Sequence, residues 1–259
     1  MNGNDKTEQD KTSKKTLVER AGEALARVRA RRPFVMCLTN TVVANETANA
    51  LLALGAQPAM VEEPEEAGEL ARTADALLVN VGTLTRFSAE AMRRGIAAAT
   101  AAGRPWVLDP VAVDRLDFRR RTVLEFLALR PRLVRGNARE IEFLLNRNAL
   151  DGLPSLATGA TDAIRDATGR VALTVANGTE ALTRVTGTGC IQGALAAAFC
   201  AVESDPLVAA TATALVPAIA GERAAEGGTA PGSFAVRLID ALAELSPDDL
   251  LRTAKASND

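Results

Sequence analysis

Along most of this chain, short unbroken apolar runs alternate with longer segments whose apolar residues recur at helical spacing. The runs at 34–38 (FVMCL), 57–61 (QPAMV), 76–80 (ALLVN), 106–108 (WVL), 133–135 (LVR) and 171–175 (VALTV) read as buried strands. The segments at 46–54, 65–72, 88–102, 119–128 and 138–145 read as helices, with Gly55 and Gly103 where helix C-caps fall. Strands and helices in alternation imply crossover helices and a mostly parallel sheet, so the expected class is α/β. From Cys190 onward the pattern is nearly all helical and ends in an amphipathic segment at 233–245. Residues 1–15 and 251–259 are polar, lack apolar periodicity and are expected to be flexible tails. No low-complexity linker or internal repeat divides the remainder, which leaves one domain over 16–250.

Composition narrows the chemistry. Aromatic residues make up only 3% of the 259, so the core must be built from Ala, Leu and Val at close range. A net charge of −2 without a long basic run argues against nucleic acid or an anionic membrane as the main partner. The sequence shows neither an apolar stretch of membrane-spanning length nor the apolar core of a signal peptide, which points to the cytoplasm. Cys37, Cys190 and Cys200 have no metal-ligand spacing and read as free thiols. Histidine and tyrosine are absent. That excludes a Ser–His–Asp triad, His-ligated zinc and any His general base.

In open parallel sheets, ligands bind beyond the carboxyl ends of the strands. Asn40, then Asn80 with Gly82, then Asp109, then Asn137 with Glu140 follow successive predicted strands. The sharpest local feature is VTGTGC at 185–190, two glycines before a long Ala-rich helix. Its main-chain N–H groups and helix dipole suit a phosphate, although a tight turn into a buried helix reads equally well. The Walker and dinucleotide-binding glycine patterns are absent. Cys190, in the first helical turn, is either a small buried thiol or a thiol whose pKa the dipole lowers. In RGNAREIEFLL (135–145), Arg135 could reach a phosphate and Glu140 could hold Mg²⁺ through water. A helix start with Asn137 as N-cap and Glu140 at N3 explains the same spacing. Asp109, in LDP, is a metal or phosphate neighbour or a turn-initiating residue. Asn40, Asn45 and Asn49 beside an apolar stretch suit a neutral small substrate, or cap and solvate a helix.

Six stretches taken together resemble the hydroxyethylthiazole kinases of the ribokinase-like superfamily. They are CLTNTVVANETANALLALGAQPAM, ADALLVNVGTLT, WVLDPVAV, RLVRGNAREIEFL, VTGTGC and APGSF, in the family's order, over most of residues 33–245. The resemblance implies a three-layer α/β/α ribokinase-like fold around a mostly parallel sheet. It implies ATP-dependent phosphorylation of a thiazole alcohol in thiamine biosynthesis, in a homotrimer with active sites between subunits. Carried across, it puts Asn40, Met60 and Gly187 at the thiazole, Arg135 and Thr174 at ATP, and Asp109 and Glu140 at Mg²⁺ and the phosphates. Cys190 takes the position of the catalytic residue. Two departures stand out: Asp114 occupies a position usually held by Gly, and the stretch 174–187 is shorter than the family's, without its TGE and β-hairpin. They leave open a ligand-binding homologue with an impaired ATP site. A kinase of another vitamin precursor, such as a hydroxymethylpyrimidine, is the other alternative.

Overall fold

The computed structural model describes residues 4–257, with side chains from residue 17 on. The strands are β1 (Phe34–Leu38), β2 (Gln57–Met60), β3 (Ala76–Asn80), β4 (Trp106–Asp109), β5 (Leu133–Asn137), β6 (Ser155–Thr158), β7 (Asp162–Arg165), β8 (Val171–Val175) and β9 (Ala256–Ser257). They form one sheet in the order β2-β1-β3-β4-β5-β6-β7-β8-β9. Pairing is parallel from β2 to β6 and antiparallel from β6 to β9.

The helices are α1 (Asn4–Arg31), α2 (Ala44–Leu54), α3 (Pro64–Leu70), α4 (Arg86–Ala101), α5 (Asp117–Leu127), α6 (Ala138–Leu145), α7 (Thr188–Val202), α8 (Pro206–Glu226), α9 (Pro231–Glu244) and α10 (Pro247–Thr253). Alternation along each strand divides them into two layers. On β1, Val35 and Cys37 enter the core shared with α1, α2 and α7 to α10. Met36 and Leu38 enter the opposite core, shared with α3 to α6. The result is the expected three-layer α/β/α arrangement.

The long apolar runs gave the parallel strands. β4 and β5 run on to Asp109 and Asn137, which places those polar groups at the carboxyl edge of the sheet. β6 and β7 escape the reading because SLAT and DAIR carry too few apolar residues to signal a strand without their hairpin partners. The chain's end also departs from the flexible tail expected there. Ala256 and Ser257 pair with Val175 and Thr174, and the Lys255 ammonium lies 2.8 Å from Glu222. At the other end, α1 begins within the polar stretch expected as a tail, in a run rich in helix-forming Lys, Glu and Gln. Residues 1–3 and 258–259 of the two expected tails lie outside the described residues.

One helix departs from the expectation that no segment reaches membrane-spanning length. α8 is 21 residues long, and its mean hydropathy reaches 1.2, long and apolar enough to cross a membrane. Val208 through Gly221 are buried, so its apolar surface is spent on the core between α1, α7 and α9.

Asp249 fixes the last helix. Ser246 caps α10 with Asp249 at N3, and the Asp249 carboxylate also meets Arg223 at 3.0 Å and Arg252. The N–H and hydroxyl of Ser246, then Arg223, hold its pKa down at about 2. Because the unfolded value is about 4, this stabilisation is complete above pH ~4 and disappears as pH falls toward 2. Asp249→Asn is expected to cost about 1–2 kcal/mol at neutral pH and to flatten that acid-side loss. Urea midpoints measured from pH 7 down to 2 check this; parallel curves for the two proteins would contradict it.

Candidate active site

β1 lies between β2 and β3, and the connections on its two sides use helices of opposite layers: α2 before β2, α3 before β3. Such a switch leaves a crevice at the carboxyl edge. Asn40, just past β1, and Asn80, at the end of β3, meet there, with Asn40 Nδ2 donating to Asn80 Oδ1 at 3.2 Å. Asn40 Nδ2 also donates to Cys190 Sγ at 3.3 Å. Asn80 Nδ2 donates to Asp109 Oδ2 at 2.9 Å, and Asn80 Oδ1 accepts the Gly82 N–H at 2.9 Å. Asp109 Oδ2 in turn lies 3.6 Å from Arg135 Nη1. One continuous polar chain thus runs across β1, β3, β4 and β5 under the N-terminus of α7.

Arg135 ends that chain. Its Nη2 donates to Thr158 Oγ1 at 2.7 Å and to Gln192 Oε1 at 2.5 Å. Its Nε and Asp109 Oδ1 are buried without a hydrogen-bond partner among the described residues. The glycines of α7 make the close approach possible. A Cβ at Gly189 would stand 3.2 Å from Arg135 Nη1, and one at Gly193 would stand 3.2 Å from Asp109 Oδ2. Gly187, the N-cap, has φ +86°, and a side chain there would strike Val43. Beside Arg135 opens a cavity of about 610 Å³, within the size range of small-molecule sites. Arg135, Thr158, Asp162, Gly189 and Gln192 supply its polar side, and Leu182, Ile191 and Leu238 line an apolar one.

The electrostatics follow from burial. Asp109 is almost fully buried; desolvation pushes its pKa up to about 7, although Arg135 and Asn80 oppose the shift. Asp162, whose Oδ1 accepts the Gly159 N–H at 2.9 Å, is pushed up to about 6 by the same cause. Cys190 corrects the expectation of an acidified thiol. Burial, then the neighbouring Asp109 charge, raises its pKa above the ordinary value, and the two Asn amides only moderate this. The resting group is a neutral thiol.

The structure brings Asn40, Asp109, Arg135, Gly187, Glu140 and Cys190 to the same carboxyl edge. Glu140 forms the capping box that its spacing suggested: its Oε2 accepts the Asn137 N–H, and its Oε1 accepts the Ala112 N–H at 2.7 Å. Asn40 is not a cap, since the N-cap of α2 is Val43, without a side-chain hydrogen bond. Met60 sits half-buried at the end of β2, outside the hydrogen-bonded chain. Thr174 lies elsewhere. Its hydroxyl is bound to Ser257 at 2.8 Å on the antiparallel side of the sheet, outside the cavity lining. The threonine beside Arg135 is Thr158. A hairpin, β7 and β8, does stand beside the cavity, but it follows Thr158-Gly159-Ala160 and so lies ahead of the 174–187 stretch. Its signal was a TG pair after a weak strand, hidden because 145–160 reads as irregular. Gln192 and Asp162 carried no sequence signal. Asp114 is neutralised by Arg139 at 3.1 Å and Arg115 at 3.6 Å.

The sequence profile of the hydroxyethylthiazole kinase family matches residues 25–153 and 152–248. A hydroxyethylthiazole kinase of Granulibacter bethesdensis is 45% identical over 249 aligned positions, covering 87% of this chain and 90% of the relative. One from Pectobacterium atrosepticum is 43% identical over 253, covering 89% and 95%. The solved structure of the hydroxyethylthiazole kinase protein of Pyrococcus horikoshii superposes with a TM-score of 0.87 at 41% identity, covering 92% of this chain and 98% of that one.

A neutral, half-buried thiol should react slowly with alkylating reagents near neutral pH. Modification of Cys190 by iodoacetamide, followed by peptide mass spectrometry, is expected to lag a model thiol at pH 7.5 and to accelerate only above pH ~9. Rapid modification at pH 7.5 would show a thiolate and overturn this assignment.

Proposed function

The chain belongs to the hydroxyethylthiazole kinase family, and from that membership we propose that it transfers the terminal phosphate of ATP to the primary hydroxyl of a hydroxyethylthiazole. The observation that carries the reading is the convergence of a buried guanidinium, Arg135, and the glycine-opened N-terminus of α7 on one crevice. Phosphoryl transfer asks for alignment and charge neutralisation more than for a strong base. The alcohol oxygen forms the new bond to phosphorus as the bond to the ADP oxygen breaks. Arg135 and the main-chain N–H groups of 187–190 neutralise charge on the transferring group.

Cys190 and Asn40 hold the hydroxyl. Since the thiol is neutral, its part is to orient the alcohol by hydrogen bonding, and the alcohol proton can leave late, onto a phosphoryl oxygen. Met60 and Gly187 border the thiazole side. Thr158, which Arg135 contacts, takes the place at the nucleotide that the resemblance gave to Thr174, and the hairpin after it supports a working ATP site.

Magnesium suits these donors as an ion held mainly by phosphates and water. Asp109 offers one buried oxygen that lacks a partner, and Glu140, whose two oxygens already accept main-chain N–H groups, would reach the ion through water. No group of three or more potential ligands forms a closed cage among the described residues. When bound, the ion would neutralise charge on the phosphates. We place the reaction in the cytoplasm and the chain in a homotrimer with sites between subunits. Exposed Val42, Leu52 and Val236 supply apolar surface for such contacts.

The test is ADP release from Mg-ATP with a thiazole alcohol and, in parallel, a pyrimidine alcohol. Turnover of the thiazole alcohol is expected; tight thiazole binding without ADP, or turnover of the pyrimidine alone, would overturn the reading. Cys190→Ala is expected to lower kcat roughly 100-fold while the thiazole KM stays within about threefold. An unchanged kcat would remove Cys190 from the reaction.

A further inference from the structure

Arg135 reaches the crevice from a strand, whereas the main-chain N–H groups that share its task belong to a helix. Only if these two elements hold a fixed relation can cation and amides meet the same phosphate. Among the described residues, the hydrogen bond that joins them runs from Arg135 Nη2 to the side-chain oxygen of Gln192, in the second turn of α7. The same Nη2 also donates to Thr158, whose hydroxyl is itself committed to the Gly136 carbonyl at 3.3 Å. Thr158 therefore accepts from Arg135, and both Nη2 hydrogens are assigned. On the other side, Nη1 has only the 3.6 Å ion pair with Asp109, and Nε has no partner. Without Gln192, a side chain with four rotatable bonds would be tied to β6 and β4 but not to α7.

We infer that Gln192 is a positioning residue for phosphoryl transfer: its carboxamide oxygen locks the Arg135 guanidinium to the first turns of α7. This rests on the reading that Arg135 takes the nucleotide phosphates. Gln192 lines the cavity next to Arg135 and Gly189 but is not assigned a contact with the reacting atoms. Its effect should pass through Arg135 alone. Substitution should weaken use of ATP and leave the thiazole side untouched, because Asn40 is held by Asn80 and Cys190 by Asn40, neither by Gln192.

The experiment is a double-mutant cycle on the full chain. Gln192→Leu, of similar volume and without an acceptor, is compared with Gln192→Met, Arg135→Met and the double variant Gln192→Leu/Arg135→Met. Thermal melts accompany steady-state kinetics in ATP and in thiazole alcohol. Loss of one charge-assisted hydrogen bond predicts that kcat/KM for ATP falls about tenfold in Gln192→Leu. The thiazole KM is expected to hold within about twofold, and the second substitution should cost nothing further once Arg135 is gone. If Gln192→Leu is poorly folded, Gln192→Met carries the same expectation. Unchanged ATP kinetics, or a loss that adds fully to that of Arg135→Met, would overturn the positioning role while the Arg135 reading stands. If Arg135→Met itself leaves ATP kinetics intact, the reading of Arg135 falls and this role with it.

Discussion

A buried pair, Asp109 with Arg135, organises the carboxyl edge of the sheet. Both groups are almost fully enclosed, and their closest approach is 3.6 Å. Enclosing charge there costs more than a single contact of that length returns, which is why the Asp109 pKa rises to about 7 even beside Arg135 and why both groups depend on further partners. Asn80 serves the carboxylate; Thr158 and Gln192 serve the guanidinium. Apolar residues of similar size would fill the same space more cheaply. The placement of the pair under a helix N-terminus, with one carboxylate oxygen unpartnered, fits a site that is completed by its ligands.

The rest of the active-site edge adapts to that pair. Gly189 and Gly193 ease the approach of α7 to it, since a Cβ at either would crowd Arg135 or Asp109 at 3.2 Å. The low aromatic content serves the same end: an Ala-rich α7 packs close to the sheet, so its first turn lies directly over the carboxyl edge. Asn80 and Asn40 carry the polar chain from Asp109 to Cys190 without adding charge. That chain keeps Cys190 partly buried and beside a carboxyl group, and both features favour its protonated thiol.

The antiparallel half of the sheet has a supporting role. β7 and β8 set Asp162 at the cavity, and the chain's end returns to fasten them. Asn177 Oδ1 accepts the Lys255 N–H at 2.7 Å, and Asn177 Nδ2 donates to Thr253 and Glu222. The loop at 177–179, which lines the cavity, is thereby held to α8 and to the segment after α10.

The sequence by itself determined the layered α/β class, the parallel strands and the helices between them, because each carries its own period of apolar residues. It also located Asn40, Asp109, Arg135, Glu140 and Cys190, since side chains at strand ends and helix starts are placed by local structure. Tertiary structure alone decided what joins them. The hydrogen bonds from Arg135 to Thr158 and Gln192 and the β9 pairing all arise between segments far apart in the chain, where no local pattern records the partner. The thiol at Cys190 shows the same limit: the helix start argued for a lowered pKa, and only the enclosure by Asp109 and its neighbours showed that it is raised. Burial and neighbouring charge set an ionisation state, and both are properties of the folded whole.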